Sequence, residues 1–124
     1  MFFNLIKRIY GKDKINDLFE NKWLMMSEDA IAFIKSYFVE YLQHFSLIEE
    51  YNLKSGYWGV KYLFNGISIT IKCDRGFFDT LIFVNDNKVS LTDFEPLMEN
   101  AKMGSEKNIR FTMGVIKRYI ENIR

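Results

Sequence analysis

Little in this sequence points to chemistry. A single cysteine, Cys73, excludes an intramolecular disulfide and any thiolate cluster for zinc. A single histidine, His44, leaves no second imidazole to complete a metal site or a catalytic relay. One proline, seven glycines and no low-complexity run give no linker, and no internal repeat is visible, so one domain over 1–124 is expected. Charge of one sign is also missing: 17 basic residues stand against 16 acidic, for a net charge of +1. A nucleic-acid binder shows a basic stripe and a nucleic-acid mimic an acidic excess, and neither is here. The charges are also scattered: residues 1–26 sum to +2, 27–53 to −4, 54–91 to +2 and 92–124 to +1.

Long hydrophobic runs are absent as well. Met1-Phe2-Phe3-Asn4-Leu5-Ile6-Lys7-Arg8 places its positive charges after the apolar residues, the reverse of a secretory signal. The run is also too short to span a bilayer. A cytoplasmic protein with no membrane contact is the expectation. The sparse alanine and abundant Ile, Asn, Lys, Phe and Tyr suit an AT-rich bacterial genome. What the chain does have is core material: 48% hydrophobic residues, with 12 Phe, 7 Tyr and 2 Trp.

The apolar spacing predicts an α+β domain. Phe2, Phe3, Ile6, Ile9 and Tyr10 suggest a helix over 2–10 stopped by Gly11, read as core-packing rather than membrane-surface. A second helix is expected over 14–25. A third, 28–44, has Ser27 as N-cap, Glu28 and Asp29 where the helix dipole favours negative charge, and a stripe of Ile31, Ile34, Phe38, Tyr41, Leu42 and Phe45. Phe33 and Tyr37 lie beside that stripe.

The middle of the chain reads as an antiparallel β-meander of four to five strands over about 45–91. Asn65-Gly66 between two β-rich runs is a strong hairpin signal, because a type I′ turn needs positive φ at both central residues. The register then pairs Phe64 with Ile67, Tyr62 with Ile69, Val60 with Ile71 and Trp58 with Cys73, all on one face. Leu63 with Ser68, Lys61 with Thr70 and Gly59 with Lys72 fall on the other. With Arg75-Gly76 as the next turn, Phe78, Thr80, Ile82 and Val84 continue the core face. A three-residue turn would instead bury the Asp79 carboxylate, at high cost. Phe77, Leu81 and Phe83 are left on a second face that the chain's own N-terminal helices or a partner must cover. Upstream, 45–51 is the expected first strand and Asn52–Gly56 a loop. Downstream come a turn at Asn85-Asp86-Asn87, a strand over 88–91, a helix over 93–102 with Pro96 in its first turn and Met103-Gly104 at its end, and a last helix over 106–123 carrying Ile109, Met113, Ile116, Ile120 and Ile123.

Candidate chemistry is thin. His44 ends a helix, where a cation is favoured structurally. Cys73 falls on the core face, where it behaves as a small hydrophobe, and nothing in sequence supports pairing it with His44. Glu49 and Glu50 are adjacent on a strand and so point to opposite faces. Asp74 and Asp79 flank a turn without calcium-loop spacing, and Asp74 is read as support for the turn. No phosphate loop, nucleophile elbow or zinc signature occurs, so no catalytic residue, metal or cofactor is expected.

Over about residues 45–84, the chain resembles small bacterial immunity proteins of the polymorphic-toxin type. The likeness rests on Leu47-Ile48-Glu49-Glu50-Tyr51, Lys54-Ser55-Gly56-Tyr57-Trp58-Gly59, the Asn65-Gly66 hairpin and Asp74-Arg75-Gly76 before an apolar strand. It implies a cytosolic protein, without catalysis, that binds and blocks a cognate toxin domain. Many immunity proteins against nucleases are acidic and this chain is not, which leaves the toxin's activity open. The residues singled out for partner contact are Tyr57, Lys61, Asp74, Arg75 and Asp79, on the second face and its turn. One alternative is a self-associating protein joined through Phe77, Leu81 and Phe83. Another is an enzyme or small-ligand binder with a site gathered from Glu49, Lys61, Asp79 and His44.

Overall fold

The structure, a computed structural model, describes residues 23–53 and 55–123. The helices expected at 2–10 and over most of 14–25 lie outside them. Residues 23–25 are not helical: Leu24 forms a β-bridge with Ser105, and the Met25 N–H donates to the Gly104 carbonyl at 2.9 Å.

Helix α1 spans Ser27–Tyr41. Ser27 is its first residue rather than its cap, and Met26 in the cap position supplies no side-chain acceptor. The helix ends three residues before the expected stop, so His44 sits in the following turn. Ala30, Ile31, Ile34 and Phe38 are buried, as are Leu42 and Phe45 beyond it. Tyr41, expected in the stripe, is exposed, its ring tilted against that of Tyr37 with ring centres 4.6 Å apart.

Five antiparallel strands follow in sequential order: β1 Ser46–Leu53, β2 Tyr57–Phe64, β3 Ile67–Asp74, β4 Phe77–Val84 and β5 Asn87–Val89. The β2–β3 and β3–β4 registers are those that the alternation predicts, from Phe64 opposite Ile67 through to Cys73 opposite Phe78. The reason is local. Two-residue turns at Asn65-Gly66, Arg75-Gly76 and Asn85-Asp86 all have positive φ at both central positions, which matches the strand twist and locks the pairing. β1 is two residues longer than expected at its C-terminal end, so Asn52 and Leu53 belong to the sheet, and a register shift lies between Leu47 and Glu49.

After β5 the chain leaves the sheet. Ser90 caps a short helix α2, Leu91–Phe94, by accepting from the Asp93 N–H. The helix expected over 93–102 does not form. Pro96 lacks the N–H for an α-turn and drives Glu95 to an extended conformation (φ −136°, ψ 96°), so a separate 3-10 helix runs over Pro96–Asn100. Met103 and Gly104 do not stop a helix either. They return to the sheet: Met103 bridges Phe77, and the Phe78 N–H donates to the Lys102 carbonyl at 2.7 Å. Helix α3 spans Glu106–Ile123 and buries Ile109, Met113, Ile116 and Ile120, leaving Ile123 partly exposed.

The core lies between one face of the sheet and helices α1 and α3. Phe38 of α1 stacks flat on Tyr62 of β2 with ring centres 3.6 Å apart, and Trp58, Val60, Ile69, Ile71 and Ile82 fill the layer behind it. No described helix is long and apolar enough to cross a membrane.

Candidate protein-binding surface

The second face of the sheet carries the five residues singled out from the sequence. The registers place Leu53, Tyr57, Asp74 and Phe77 opposite one another in a single row across four strands. At ~4.8 Å per strand the row is about 15 Å wide. Its apolar members are open: Phe77 is 69% exposed and Leu53 60%. Arg75 rims the row. Its Nε donates to the Asp74 carboxylate at 3.2 Å, its guanidinium lies 5.8 Å from the Tyr57 ring centre, and its backbone N–H donates to the Gly56 carbonyl. Tyr57, Asp74 and Arg75 are therefore one cluster.

Lys61 and Asp79 share the face but stand apart from that cluster. Lys61 is opposite Glu49 and Thr70, and Asp79 is opposite Lys72. Leu63 (43% exposed), Leu81 and Phe83 lie nearby. Tyr51 lies over Gly59, where a Cβ would meet the Tyr51 ring at 2.7 Å, so glycine makes room for an aromatic ring on this face.

Arg75 is unusual for its backbone. The other two-residue turns begin with Asn65 and Asn85, a residue type that tolerates the left-handed region, while Ser55 in the β1–β2 turn also lies there at φ 71°. Arg75 occupies it at φ 50° without that tolerance. Strain of this kind persists only where the surrounding structure holds it, and it clusters at functional sites.

The enzyme-like set does not converge. Glu49, Lys61 and Asp79 share the second face, whereas His44 lies at the far end of the hairpin, stacked on Phe64 with ring centres 5.6 Å apart. Cys73 is opposite Trp58 at the other end, six residues or ~20 Å along β2 from Phe64. The structure thus separates His44 from Cys73. Burial pushes the Cys73 thiol above its ordinary value and leaves it protonated. Burial, with a smaller push from Glu50, raises Tyr62 to about 12. Among the described residues, no group of three or more His, Cys, Asp or Glu is placed to hold a metal ion. The Asp74 carboxylate is engaged by the Arg75 side chain.

Several concavities have no counterpart in the sequence patterns. Along β4, the excursion of the chain after Val89 leaves a gap of about 320 Å³ bordered by Thr80, Leu81, Lys88 and Lys102. The Thr80 hydroxyl is buried there with no hydrogen-bond partner among the described residues. Beside β1, a groove of about 460 Å³ runs between the strand and α1, lined by Glu28, Ile31, Ala32, Lys35 and Glu50. A further hollow of about 400 Å³ continues it past Asn52 and Leu53. None of them carries a sequence signal, because each arises where elements meet that are distant along the chain. Compared with known proteins, the chain matches no family model, no curated protein and no solved structure.

Proposed function

We propose that the chain is a small cytosolic binding protein without catalysis, an immunity-type protein that binds and blocks a cognate toxin domain. The observation that carries this reading is Arg75. A left-handed position that asparagine or glycine fills at lower cost holds an arginine, at the rim of a row of exposed apolar and aromatic residues. Arginine and tyrosine are common anchors of protein interfaces. Tyr57 and Arg75 form the centre of the contact, Asp74 orients the guanidinium, and Leu53 and Phe77 supply apolar area; Lys61 and Asp79 extend it along the face.

The test is capture of partners from native cell extract by the tagged full chain, with Tyr57→Ala and Arg75→Ala variants alongside. One stoichiometric partner that blocks growth when expressed alone, and that both variants lose, supports the reading. Recovery of the chain alone would overturn it. The exposure of Phe77 favours one second reading, self-association through Phe77, Leu81 and Phe83, which light scattering would report as a dimer lost on Phe77→Ser.

A further inference from the structure

We infer that β1 and the groove beside α1 form a strand-addition site that takes an extended, basic segment of a protein partner. The inference rests on the reading of the chain as a protein-binding module and names the surface and the chemistry of what it binds. β1 is an edge of the sheet, and every residue of it is exposed. Which of its backbone groups lack a strand partner among the described residues follows from the register. Phe64 and Ile67 close a two-residue turn and exchange both backbone bonds, so Leu63, Lys61, Gly59 and Tyr57 bond towards β1. Their partners Glu49, Tyr51 and Leu53 therefore face β2, and Glu50 and Asn52 turn their N–H and C=O groups outward. Such a row is a template for an added strand.

The groove gives the added strand a place for its side chains. It is lined by the apolar Ile31 and Ala32 and by the polar Glu28, Lys35, Glu50 and Asn52. Lys35 is engaged by Glu50 at 2.8 Å, and Asn52 donates to Glu28 at 3.4 Å. The surrounding segment 27–53 carries −4 in a chain whose net charge is +1. That field selects the occupant. A second copy paired antiparallel in the register centred on Glu50 would set Glu50 against its own counterpart, and like charges across a strand pair are destabilising. A segment bearing lysine or arginine gains the same field as attraction. The acidic edge thus discourages self-pairing while remaining open to a basic strand.

The site is tested on the full chain with a blocked octapeptide of alternating lysine and valine. Controls are the same peptide methylated on alternate backbone nitrogens and a glutamate-for-lysine version. Binding is read by anisotropy, and backbone amide exchange by NMR. The expected result is new protection at Glu50 and Asn52 and binding at least tenfold weaker for the methylated peptide. The acidic peptide is expected not to bind. Asn52→Pro removes an outward N–H at an edge position where proline is tolerated, and is expected to weaken binding at least tenfold. Glu28→Gln keeps the backbone intact, and should weaken binding several-fold and flatten its salt dependence. Equal affinity for the methylated peptide would overturn the inference. So would protection gained along Thr80 of β4 instead, or protection of Glu50 and Asn52 by dimerisation without peptide. The two proposals fail separately. A captured partner lost by Arg75→Ala but kept by Asn52→Pro would remove the edge site and leave the function standing. Peptide binding at β1 with no partner captured would do the reverse.

Discussion

Replacing Arg75 by asparagine should make the protein more stable, the opposite of what most substitutions do. Arg75 sits at φ 50°, a region that costs an ordinary L-residue roughly 1–2 kcal/mol and that asparagine enters more cheaply. Asn65 and Asn85 already hold the equivalent place in the other two turns. Against that gain stand two contacts. The Arg75–Asp74 ion pair has side chains 71% and 56% exposed, and exposed pairs contribute ~0–1 kcal/mol after solvent screening. The guanidinium over Tyr57 at 5.8 Å adds about 0.5 kcal/mol at an exposed site. The balance favours asparagine by about 0.5 kcal/mol, which for a domain of this size raises the thermal midpoint by ~2 °C. Calorimetry at low and high salt is the assay, and high salt should enlarge the gain by weakening the ion pair. A loss of more than about 0.5 kcal/mol would refute the reasoning. It would mean that the arginine is retained for the turn's own stability, and the argument that strain marks a binding residue would fall with it.

The two faces of the sheet should respond differently to truncation. Ile69 is fully buried, and Ile69→Ala should cost ~3–4 kcal/mol, whereas Leu63→Ala on the second face should cost less than about 1; similar urea midpoint shifts for both would show the core to be misassigned. Gly66→Ala places a Cβ at φ 82° and 2.5 Å from the Asn85 amide oxygen, and should cost ~1–2 kcal/mol in the same assay. Tyr62 is raised to about 12, so its neutral form stabilises the fold fully below pH 10. Above pH 10 the unfolded chain loses that proton first, and stability falls between about pH 10 and 12 by on the order of 1–2 kcal/mol. Tyr62→Phe should remove that part of the alkaline decline, and an unchanged pH profile would contradict it. Cys73 is only 5% exposed with its thiol held protonated; alkylation at pH 8 should be slow in the native protein and rapid in urea, and fast native labelling would show the sheet end to be open.

Some of this protein was legible because the signals are local. The turns at Asn65-Gly66 and Arg75-Gly76 fix two strand pairings by backbone geometry alone, and a two-residue side-chain period then decides the inner face of β2, β3 and β4. The stripe on α3 follows from its three- and four-residue spacing. The helix expected across Pro96 failed on a rule that is equally local, since a pre-proline residue avoids the helical region.

What only the tertiary structure decided depends on residues far apart in the chain. Periodicity assigns faces but not edges, so it did not show that β1 is an open edge beside α1, or that Glu50 bonds to Lys35 across a groove. The hairpin turn brought Arg75 to Tyr57, but its positive φ acquires meaning only beside the two asparagine turns and the exposed row that it rims. The excursion from Ser90 to Ala101 and its return at Lys102–Gly104 were hidden, because one bridge and two hydrogen bonds leave no periodic trace. Local backbone chemistry therefore determined the sheet and its core face. The packing of distant segments decided which edge and which surface the described residues leave uncovered.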